Sequence, residues 1–502
     1  MALYLKSKKF DLEGGKSLYI LMHRKDTQEL GVNEGDIVLL GYKDIELYVK
    51  VIITDSKISS GSVGLYEEIV EEYHVPESAT VLVDIPSTSE ALDAIRKKIS
   101  GHRLNEAELL SIMRDIGTRK LKETEIAFFV STFFNPGFTD DEIYSMTKGM
   151  AESGDILDFK YIKNNKDLVV DKHSIGGTAG KGITTTLIPI LATAGLVIPN
   201  TSTRAITSPA GTTDILESVM PVALNKEEVY KVVEKVGACM VWGGSLYLAP
   251  ADDEIINVER SLRIQEFQKV LVSIVAKKIA MGATFVLIDL PYGSGTKIER
   301  PDDLEFLARE FEKLFQKFNI KCVTHKRIVK GPDGKGVGPV LEMRECLRIL
   351  ERADERCEDL EETILNMATT IFEHTGKAKK GEGKDFAQDI LDSGKALKKF
   401  WEIAIAQGAK KELKSTQLKL GNITHDVKSI KSGTIKSINT REIVEIARSL
   451  GTPMIKEAGI HFSKVQGDRV KKGDVLMTLY ATAKDRMEEG VKVVDLEKLY
   501  EF

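Results

Sequence analysis

The pattern of hydrophobic and polar residues changes several times along the chain, and each change marks a different kind of structure. Residues 1–86 alternate short apolar and β-branched runs with polar turns, as in LYIL, DIVLL, LYVKVII and TVLVDI. Runs of this kind, bounded by turn residues, are typical of strands. We therefore predict a small N-terminal β domain over residues 1–86.

Residues 87–165 instead carry apolar residues at helical spacing, in the runs LDAIRKKI, EAELLSIMRDI, ETEIAFFVSTFF and TDDEIYSMTKGMAES. Asn105, Thr124 and Thr139 stand where helix N-caps are expected, with acidic residues following each. The pattern predicts a helical lobe. Another helical stretch, residues 250–281, interrupts the region that follows and is predicted to return to this lobe.

Strand-like and helical runs alternate over residues 166–249 and 282–425, beginning with DLVV and GITTTLIPILATAGL. Alternation predicts an α/β lobe, here with a central mixed sheet. The polar stretch 413–434 is a candidate linker into a C-terminal α+β domain, residues 426–502, where GDRVKKGDVLMTLY predicts a hairpin. The predicted fold class is thus multidomain α/β.

Composition narrows the class of protein. The 502 residues suffice for about three domains of roughly 150 residues each. Lys plus Arg number 71 against 76 Asp plus Glu, a net charge of −5 that argues against a nucleic-acid partner but leaves a local anion site open.

The four cysteines form no CxxC pair, so neither a disulfide framework nor a structural zinc site is expected. No apolar run approaches the ~18 residues that a membrane span needs, and no secretory leader is recognisable. We expect a cytoplasmic protein without a membrane partner.

The most informative motif is DKHSIGGTAGKG, which follows the run DLVV and opens a helix. Glycines let backbone N–H groups approach an anion, and a helix N-terminus adds partial positive charge. Lys172 supplies a full charge, Ser174 a hydroxyl, and His173 a group that titrates near neutral pH. The segment predicts an anion site; the competing interpretation is a tight turn with a solvated lysine.

A second strand–loop–helix segment, residues 201–214, contains five threonines, two serines and Arg204. Hydroxyls with an arginine suit phosphate oxygens, whereas the simpler interpretation is a surface loop that caps a helix at Thr212 or Thr213. A third loop, PYGSGTK, ends in Lys297. All three loops follow strands, the position at which open α/β sheets bind ligands.

Two further segments are candidates. Ser273 and Lys277 lie one turn apart in the apolar run KVLVSIVAKKIAMG, where they can grip a polar ring such as a nucleobase or form an exposed strip. The glycine-rich stretch 330–338 is either a flexible lid or a disordered surface turn. The scattered histidines show no metal-ligand spacing.

These motifs resemble a known family. DKHSIGG, AGTTDILE, SIVAKK, GVGPVLEMRE and SGKALKKFWEIAIAQG are similar to the thymidine/pyrimidine nucleoside phosphorylases, and the helical lobe resembles the N-terminal domain of anthranilate phosphoribosyltransferase. STRAITSPAGTTDILESVMPV, VWGGSLYLAPADDEIINVERSL and LIDLPYGSGTKIE are most similar to the archaeal-type AMP phosphorylase branch, as is the added β domain.

The resemblance implies phosphorolysis, in which orthophosphate attacks C1′ of the sugar and the base leaves. For AMP the products are adenine and ribose 1,5-bisphosphate. Orthophosphate is then a co-substrate, and no cofactor or metal is expected. The family forms homodimers or larger homo-oligomers, so we expect a homo-oligomer with AMP or a related nucleotide as its small-molecule partner.

The resemblance also assigns residues. Lys172, Ser174, Ser202 and Thr212 match ligands of the attacking phosphate, His173 a histidine proposed to assist catalysis, and Lys277 a base-contacting lysine. The residues that match AMP-contacting positions are Gly177, Thr203, Arg204, Ala205, Ile206, Thr207, Ser208, Thr212, Ser273 and Lys297.

One departure from the family concerns the proton donor. An aspartate is expected eight residues before Ser273, and this chain has Gln265, which cannot release a proton. The adjacent Glu266 is the first substitute, while Asp252, Asp253 and His173 are weaker candidates. The change leaves a pyrimidine nucleoside phosphorylase as the nearest alternative; a phosphoribosyltransferase and an inactive assembly subunit are others.

Overall fold

A computed structural model describes residues 2–15, 17–162, 168–180, 182–205, 208–262 and 266–502. The chain divides into two compact units. The first comprises Met1–Gly154 and Ala249–Ala276, and the second comprises Asp155–Leu248 and Lys277–Phe502. The expectations for Ile206, Thr207 and Gln265 fall outside the described residues.

The strands of the described residues are, in chain order, β1 (Leu3–Lys9), β2 (Tyr19–His23), β3 (Ile37–Tyr42), β4 (Ile45–Thr54), β5 (Ser62–Leu65), β6 (Thr80–Asp84), β7 (Val170–Ser174), β8 (Ile198–Ser202), β9 (Ala238–Trp242), β10 (Phe285–Tyr292), β11 (Lys321–Ile328), β12 (Gly336–Val337), β13 (Ile423–Lys428), β14 (Gly433–Thr434), β15 (Ser437–Ile438), β16 (Gly459–Phe462), β17 (Arg469–Val470), β18 (Val475–Ala481) and β19 (Tyr500–Glu501).

The helices are α1 (Arg24–Leu30), α2 (Glu67–Glu72), α3 (Glu90–Ile99), α4 (Glu106–Gly117), α5 (Glu123–Ser131), α6 (Asp140–Glu152), α7 (Gly182–Thr193), α8 (Thr212–Leu216), α9 (Lys226–Val236), α10 (Pro250–Leu262), α11 (Phe267–Ala280), α12 (Pro301–Lys317), α13 (Pro339–Leu350), α14 (Glu358–Thr375), α15 (Gly383–Asp392), α16 (Lys395–Ala406), α17 (Thr440–Ser449), α18 (Lys484–Lys492) and α19 (Leu496–Leu499). No helix among the described residues is both long and apolar enough to cross a membrane.

The first unit begins with a closed six-stranded barrel in the order β1-β5-β2-β4-β3-β6, which confirms the predicted N-terminal β fold. Strands β1 and β5 were not predicted from sequence. In β1 only alternate residues, including Leu3 and Leu5, are buried, and lysines fill its exposed face. Its apolar signal is therefore too sparse for a run-based prediction.

The helices α3 to α6, α10 and α11 supply the rest of the first unit. Two predicted N-caps are confirmed: the Asn105 side chain accepts the N–H of Glu108, and Thr139 accepts that of Glu142. The prediction for Thr124 is wrong, because α5 begins at Glu123. There the Glu125 carboxylate accepts the N–H of Lys122 at 2.8 Å and so fixes the helix start two residues earlier.

The second unit is built on parallel strands. The strands β11, β10 and β7 form one sheet in that order, β8 pairs with β9, and a parallel bridge from Val169 to Val197 connects the two groups. Every described pair among β7 to β11 is parallel, so the expected mixed sheet is wrong in this respect. Helical crossovers such as α7 and α12 allow consecutive strands to run in the same direction.

The C-terminal part of the second unit is α+β, as predicted, but two local expectations are wrong. The candidate linker 413–434 contains β13, which pairs with β18 over Ile423–Lys428. The expected hairpin is also wrong, because β17 pairs with β14 while β18 lies between β13 and β16. The alternating pattern identified the strands and not their partners, which are distant in sequence.

The glycine-rich stretch 330–338 is neither a lid nor a disordered turn. Its residues Gly336 and Val337 form β12 and pair with β16. The Asp333 carboxylate binds Arg327. The backbone N–H of Asp333 donates to the carbonyl of Ala179 at 2.8 Å. At Gly338 a Cβ would lie 2.5 Å from the Ala458 carbonyl oxygen, so the glycines here permit close backbone packing.

Candidate active site

Lys172 lies in the middle of β7 as a nearly buried cation, only 4% exposed. Its Nζ lies 3.3 Å from Thr184 Oγ1 and 3.7 Å from Asp289 Oδ2. Asp289 is shared with Arg327, whose Nε donates to it at 2.8 Å. Burial would raise the pKa of Asp289, but the charges of Arg327 and Lys172 hold it below its usual value. Arg327 is also bound by Asp333, so this cluster holds two cations and two carboxylates.

The ionisable state of His173 follows from its surroundings. Burial, and then the charges of Lys278, Lys277, Lys172 and Lys297, lower the pKa of His173 well below its ordinary value. The imidazole is therefore neutral at physiological pH, a form in which one ring nitrogen can donate and the other accept a hydrogen bond. Of these lysines, Lys278 is paired with Asp171, and Lys172 lies 3.7 Å from Asp289.

Two of the predicted loops touch. Gly177 has a φ of +89°, and a Cβ there would lie 2.6 Å from the backbone nitrogen of Lys297. The third loop is held from within, because the Thr296 hydroxyl bonds the carbonyls of Gly293 and Ile298. Lys297 is thereby placed beside the glycine-rich loop that follows β7, as loops at the carboxyl edge of parallel strands require.

The second loop is organised by Asp214, a residue that sequence analysis did not single out. One carboxylate oxygen of Asp214 accepts the N–H groups of Ala205 and Gly211, both at 2.7 Å. The Ser202 and Thr213 hydroxyls lie 2.8 Å apart. Because Asp214 supplies the cap, the alternative in which Thr212 or Thr213 caps α8 is wrong.

Arg204 lies in this loop but is already engaged. Its guanidinium bonds both carboxylate oxygens of Glu217, one of them at 2.7 Å, and stacks over the Trp242 ring at 5.0 Å. Lys456 reaches the same carboxylate at 3.3 Å. In this structure Arg204 thus anchors the loop, and its charge is largely neutralised by Glu217.

The other predicted residues of this loop differ in exposure. The Ser208 side chain is buried and donates to the Ala210 carbonyl at 2.8 Å. Thr212 begins α8 and is partly exposed, while Thr203 is exposed to solvent.

Ser273 and Lys277 lie one turn apart on α11, as predicted, but the chain passes between the two units after residue 276. In the first unit the Ser273 hydroxyl donates to Asp252 Oδ2 at 2.7 Å, and Lys269 Nζ lies 3.1 Å from Asp252 Oδ1. Lys269 also binds Glu259 at 2.6 Å. Ser273 is therefore oriented by a buried charge network that includes Asp252.

Glu266 stands at the start of α11 and acts there as a cap. Its carboxylate accepts the N–H groups of Gln268 at 2.6 Å and Lys269 at 3.1 Å. Burial raises the pKa of Glu266, although these backbone hydrogen bonds oppose the shift. A raised pKa suits an acid catalyst, whereas the two capping bonds favour the ionised form.

A pair that sequence analysis missed supports the first loop from below. Asp171 is fully buried; its Oδ2 accepts from Lys278 Nζ at 2.5 Å and its Oδ1 from Asn200 Nδ2 at 2.7 Å. The sequence signals for this pair were Lys278, the second lysine of AKK, and Asp171, the first residue of DKHS. Their long separation in sequence hides the contact between them.

The described residues contain no group of three or more His, Cys, Asp or Glu side chains suited to a metal ion. The arrangement in the second unit instead joins Lys172, His173, Ser174, Gly177 and Lys297 at the carboxyl ends of β7 and β10. Cations, hydroxyls and glycine N–H groups are the chemistry that binds phosphate.

Family models match three parts of the chain. Residues 92–154 match the helical bundle domain of a glycosyl transferase family, and residues 166–397 match the α/β domain of that family. Residues 434–500 match a pyrimidine nucleoside phosphorylase C-terminal domain.

Curated relatives match almost the whole chain. The AMP phosphorylase of Pyrococcus furiosus is 37% identical over 97% of this chain and 95% of its own length. The AMP phosphorylase of Thermococcus kodakarensis is 38% identical over 94% of this chain and 92% of its own length. That of Methanocaldococcus jannaschii is 37% identical over 98% of this chain and 96% of its own length.

Among solved structures, anthranilate phosphoribosyltransferase from Thermus thermophilus is similar with a TM-score of 0.51. The match covers 63% of this chain and 100% of the anthranilate phosphoribosyltransferase chain, at 20% sequence identity. At this identity the match shows a similar fold and nothing further.

Proposed function

The chain belongs to the AMP phosphorylase family, and we propose that it catalyses the phosphorolysis of AMP by orthophosphate. The observation that carries this proposal is the 37% identity to an AMP phosphorylase over 97% of the chain. The products are adenine and ribose 1,5-bisphosphate, so the enzyme is a pentosyltransferase.

In the proposed reaction an orthophosphate oxygen forms a bond to C1′ while the bond from C1′ to the base nitrogen breaks. The electron pair of that bond leaves with the base, which then takes up a proton. Lys172, Ser174, Ser202 and Thr212 bind the attacking phosphate. The buried position of Lys172 in β7, beside the Thr184 hydroxyl, supports this role.

The 5′-phosphate of the nucleotide is a second anion, and its proposed contacts are Lys297, Gly177 and the loop of residues 203–208. The contact of Gly177 with the backbone of Lys297 supports a shared anion-binding edge. We propose that Arg204 positions this loop through Glu217, and that Ser273 and Lys277 bind the base.

We propose that Glu266 donates the proton to the leaving base. It would take the role of the aspartate that the family carries at the position of Gln265. His173 is the weaker choice because its imidazole is neutral and is held so by burial and four lysines. Asp252 is also weaker, because it already accepts from Ser273 and lies 3.1 Å from Lys269 Nζ. The burial that raises the pKa of Glu266 supports its assignment.

Two alternatives carry less support. A pyrimidine nucleoside phosphorylase is not favoured, because the relatives that match nearly the whole chain are AMP phosphorylases, while residues 434–500 alone match a domain named for the pyrimidine enzymes. A phosphoribosyltransferase is suggested only by a fold likeness at 20% identity.

We further propose a cytoplasmic homodimer or larger homo-oligomer that works without a metal or cofactor. The buried, reduced state of Cys239, Cys346 and Cys357 is consistent with a reducing compartment.

The test is a substrate panel. Purified protein is incubated with orthophosphate and, separately, AMP, GMP, CMP, UMP, adenosine, uridine and thymidine, and mass spectrometry identifies the released base and sugar phosphate. Adenine and a pentose bisphosphate from AMP are expected. Release from pyrimidine nucleosides alone would overturn the proposal.

The proton donor has its own test. Glu266→Gln keeps an oxygen that can cap α11 but cannot donate a proton, so it should lower kcat for AMP by about 100-fold or more. Its unfolding midpoint should stay close to that of the unsubstituted protein. Unchanged kcat in Glu266→Gln would assign Glu266 to capping alone.

A further inference from the structure

A cavity in the C-terminal part of the second unit presents an unusual set of positive charges. Its volume is about 640 Å³, and it is lined by residues of α13, β16, β18 and the segment before β12. Arg344 and Arg348 enter it from α13, on which they lie one turn apart. Of the described residues assigned above to the AMP or phosphate site, none lines this cavity.

The two arginines stand out by their lack of counterions within the described residues. Arg344 Nε is buried and has no hydrogen-bond partner there. Across the part of the chain that the structure describes, neither guanidinium is paired with a carboxylate, and burial together with the charge of Arg348 lowers the pKa of Arg344. Both side chains are only partly buried, but a buried donor such as Arg344 Nε is costly to leave unsatisfied. The two guanidinium groups therefore present donors suited to an anion.

Other groups converge on the same point. Lys335 precedes β12, and its carbonyl accepts the N–H of Phe462, which places it beside β16. His461 lies opposite Gly336 in the β12–β16 register. Burial, and then the charges of Arg348, Lys335 and Arg344, lower the pKa of His461 to about 4. One neutral imidazole thus stands among three cations and offers a further hydrogen bond.

Six carboxylates also line this cavity, but within the described residues none of them forms an ion pair with Arg344 or Arg348. Glu345 accepts the N–H of Lys335 at 2.7 Å, and burial raises the pKa of its carboxyl to about 7, so that about half is uncharged at neutral pH. Asp468 accepts the N–H of Val465 at 2.9 Å. Solvent screens the other acids, which are exposed: they are Asp354, Glu355, Glu358 and Asp359.

We propose that this cavity binds a phosphorylated small molecule whose phosphoryl group lies between the guanidinium groups of Arg344 and Arg348. Planar guanidinium donors match the oxygens of a phosphoryl group in pairs, which a single lysine cannot do. The volume exceeds what a phosphate ion fills and falls within the range of ligand pockets for molecules of nucleotide size. The remainder of the ligand is then a sugar or a comparable polar body, since the lining is mostly polar.

The site also has a physical connection to the phosphate-binding loop. The segment 330–338 contributes Lys335 to the cavity, and two residues earlier the Asp333 N–H donates to Ala179, inside the glycine-rich loop after β7. A ligand held at Arg344 and Arg348 therefore lies on the same short segment that supports that loop.

The test is isothermal titration calorimetry on the full chain with ribose 5-phosphate as the probe and ribose as its uncharged counterpart. The double variant Arg344→Gln, Arg348→Gln is compared with Lys410→Gln, Lys411→Gln, which removes the same charge from an exposed loop. The arginine variant should lose a binding component, or weaken it by at least about tenfold, and the lysine variant should retain it. Ribose should give no such component.

The second measurement is a crystal structure of the unsubstituted protein with tungstate, a phosphate mimic whose anomalous signal locates it. A peak between the two guanidinium groups is expected. The proposal is overturned by an unchanged isotherm in the arginine variant, by equal losses in both variants, or by crystals without that peak. If the substrate panel showed no AMP phosphorolysis, the calorimetry and the tungstate crystal would still test the cavity. Each of the two proposals can therefore be overturned without the other.

Discussion

Lys278 Nζ lies 2.5 Å from Asp171 Oδ2, and both side chains are almost completely buried. The other oxygen of Asp171 accepts from Asn200 Nδ2 and from the N–H of Lys172. The residue before the proposed phosphate-binding lysine is thus fixed by the last turn of α11. Because an unpaired buried carboxylate is costly, this pair both stabilises the second unit and sets the end of β7.

Replacement of Lys278 should therefore be strongly destabilising. Lys278→Met leaves the Asp171 carboxylate buried without its cation, and the expected loss in the free energy of unfolding is about 3–5 kcal/mol. Urea unfolding can be followed by tryptophan fluorescence, since Trp242 and Trp401 both belong to the second unit. Lys226→Met, which breaks a partly exposed pair with Asp155, is the control and should cost less than about 1 kcal/mol.

Lys172→Met tests the proposed phosphate site. Removal of this buried cation should lower kcat/KM for AMP phosphorolysis by about 100-fold or more and raise the KM for orthophosphate, because one charge-assisted contact to the attacking anion is lost. Steady-state kinetics with varied orthophosphate measure both quantities. Lys326→Met, an exposed lysine paired with Glu305, should behave like the unsubstituted enzyme. An unchanged KM for orthophosphate in Lys172→Met would mean that the attacking phosphate does not bind at Lys172.

The second loop offers a test of whether Asp214 positions residues 203–208 without itself contacting the substrate. Asp214→Ala removes the acceptor of the Ala205 and Gly211 N–H groups, so the loop should lose its shape. We expect the KM for AMP to rise at least about tenfold and the free energy of unfolding to fall by about 1–3 kcal/mol. Asp214→Asn retains an oxygen at the same place and should stay near the unsubstituted values. Equal behaviour of the two variants would argue against this role.

Sequence reasoning succeeded where the signal is local. Helical spacing with a capping residue identified α4 and α6 together with their starts at Asn105 and Thr139, because an N-cap and its partner lie within one turn. It failed for Thr124, where a glutamate one residue further along captures the N–H of Lys122 instead. It also failed for the partners of β17 and β18, since a strand pattern carries no information on distant pairing.

The site divides in the same way. The loops of Lys172 and Lys297 were predicted to meet because parallel strands end at one edge of a sheet, and Gly177 does contact Lys297. The pairing of Asp171 with Lys278 joins residues 107 positions apart, so only the tertiary fold reveals it. Arg204 appeared as a free cation in the sequence for the same reason: its pairing with Glu217 depends on how the loop folds back onto α8.

Glu345 predicts an unusual dependence of stability on pH. Burial raises the pKa of its carboxyl from the ordinary 4.5 to about 7 in the folded chain. The folded state therefore binds this proton more tightly than the unfolded state. Its contribution to stability is complete below about pH 4.5 and is lost as the pH rises through 7, a change of about 3 kcal/mol.

The measurement compares urea unfolding of the unsubstituted protein and Glu345→Gln at about pH 5 and about pH 8, on either side of the folded pKa. Glutamine has no proton to lose and keeps an oxygen for the N–H of Lys335, so the variant should lack this part of the pH dependence. Other titrating groups are common to both proteins and cancel in the difference. Between these two pH values the variant should gain about 2.5 kcal/mol relative to the unsubstituted protein. Parallel pH profiles would mean that the folded chain binds the Glu345 proton no more tightly than the unfolded chain does.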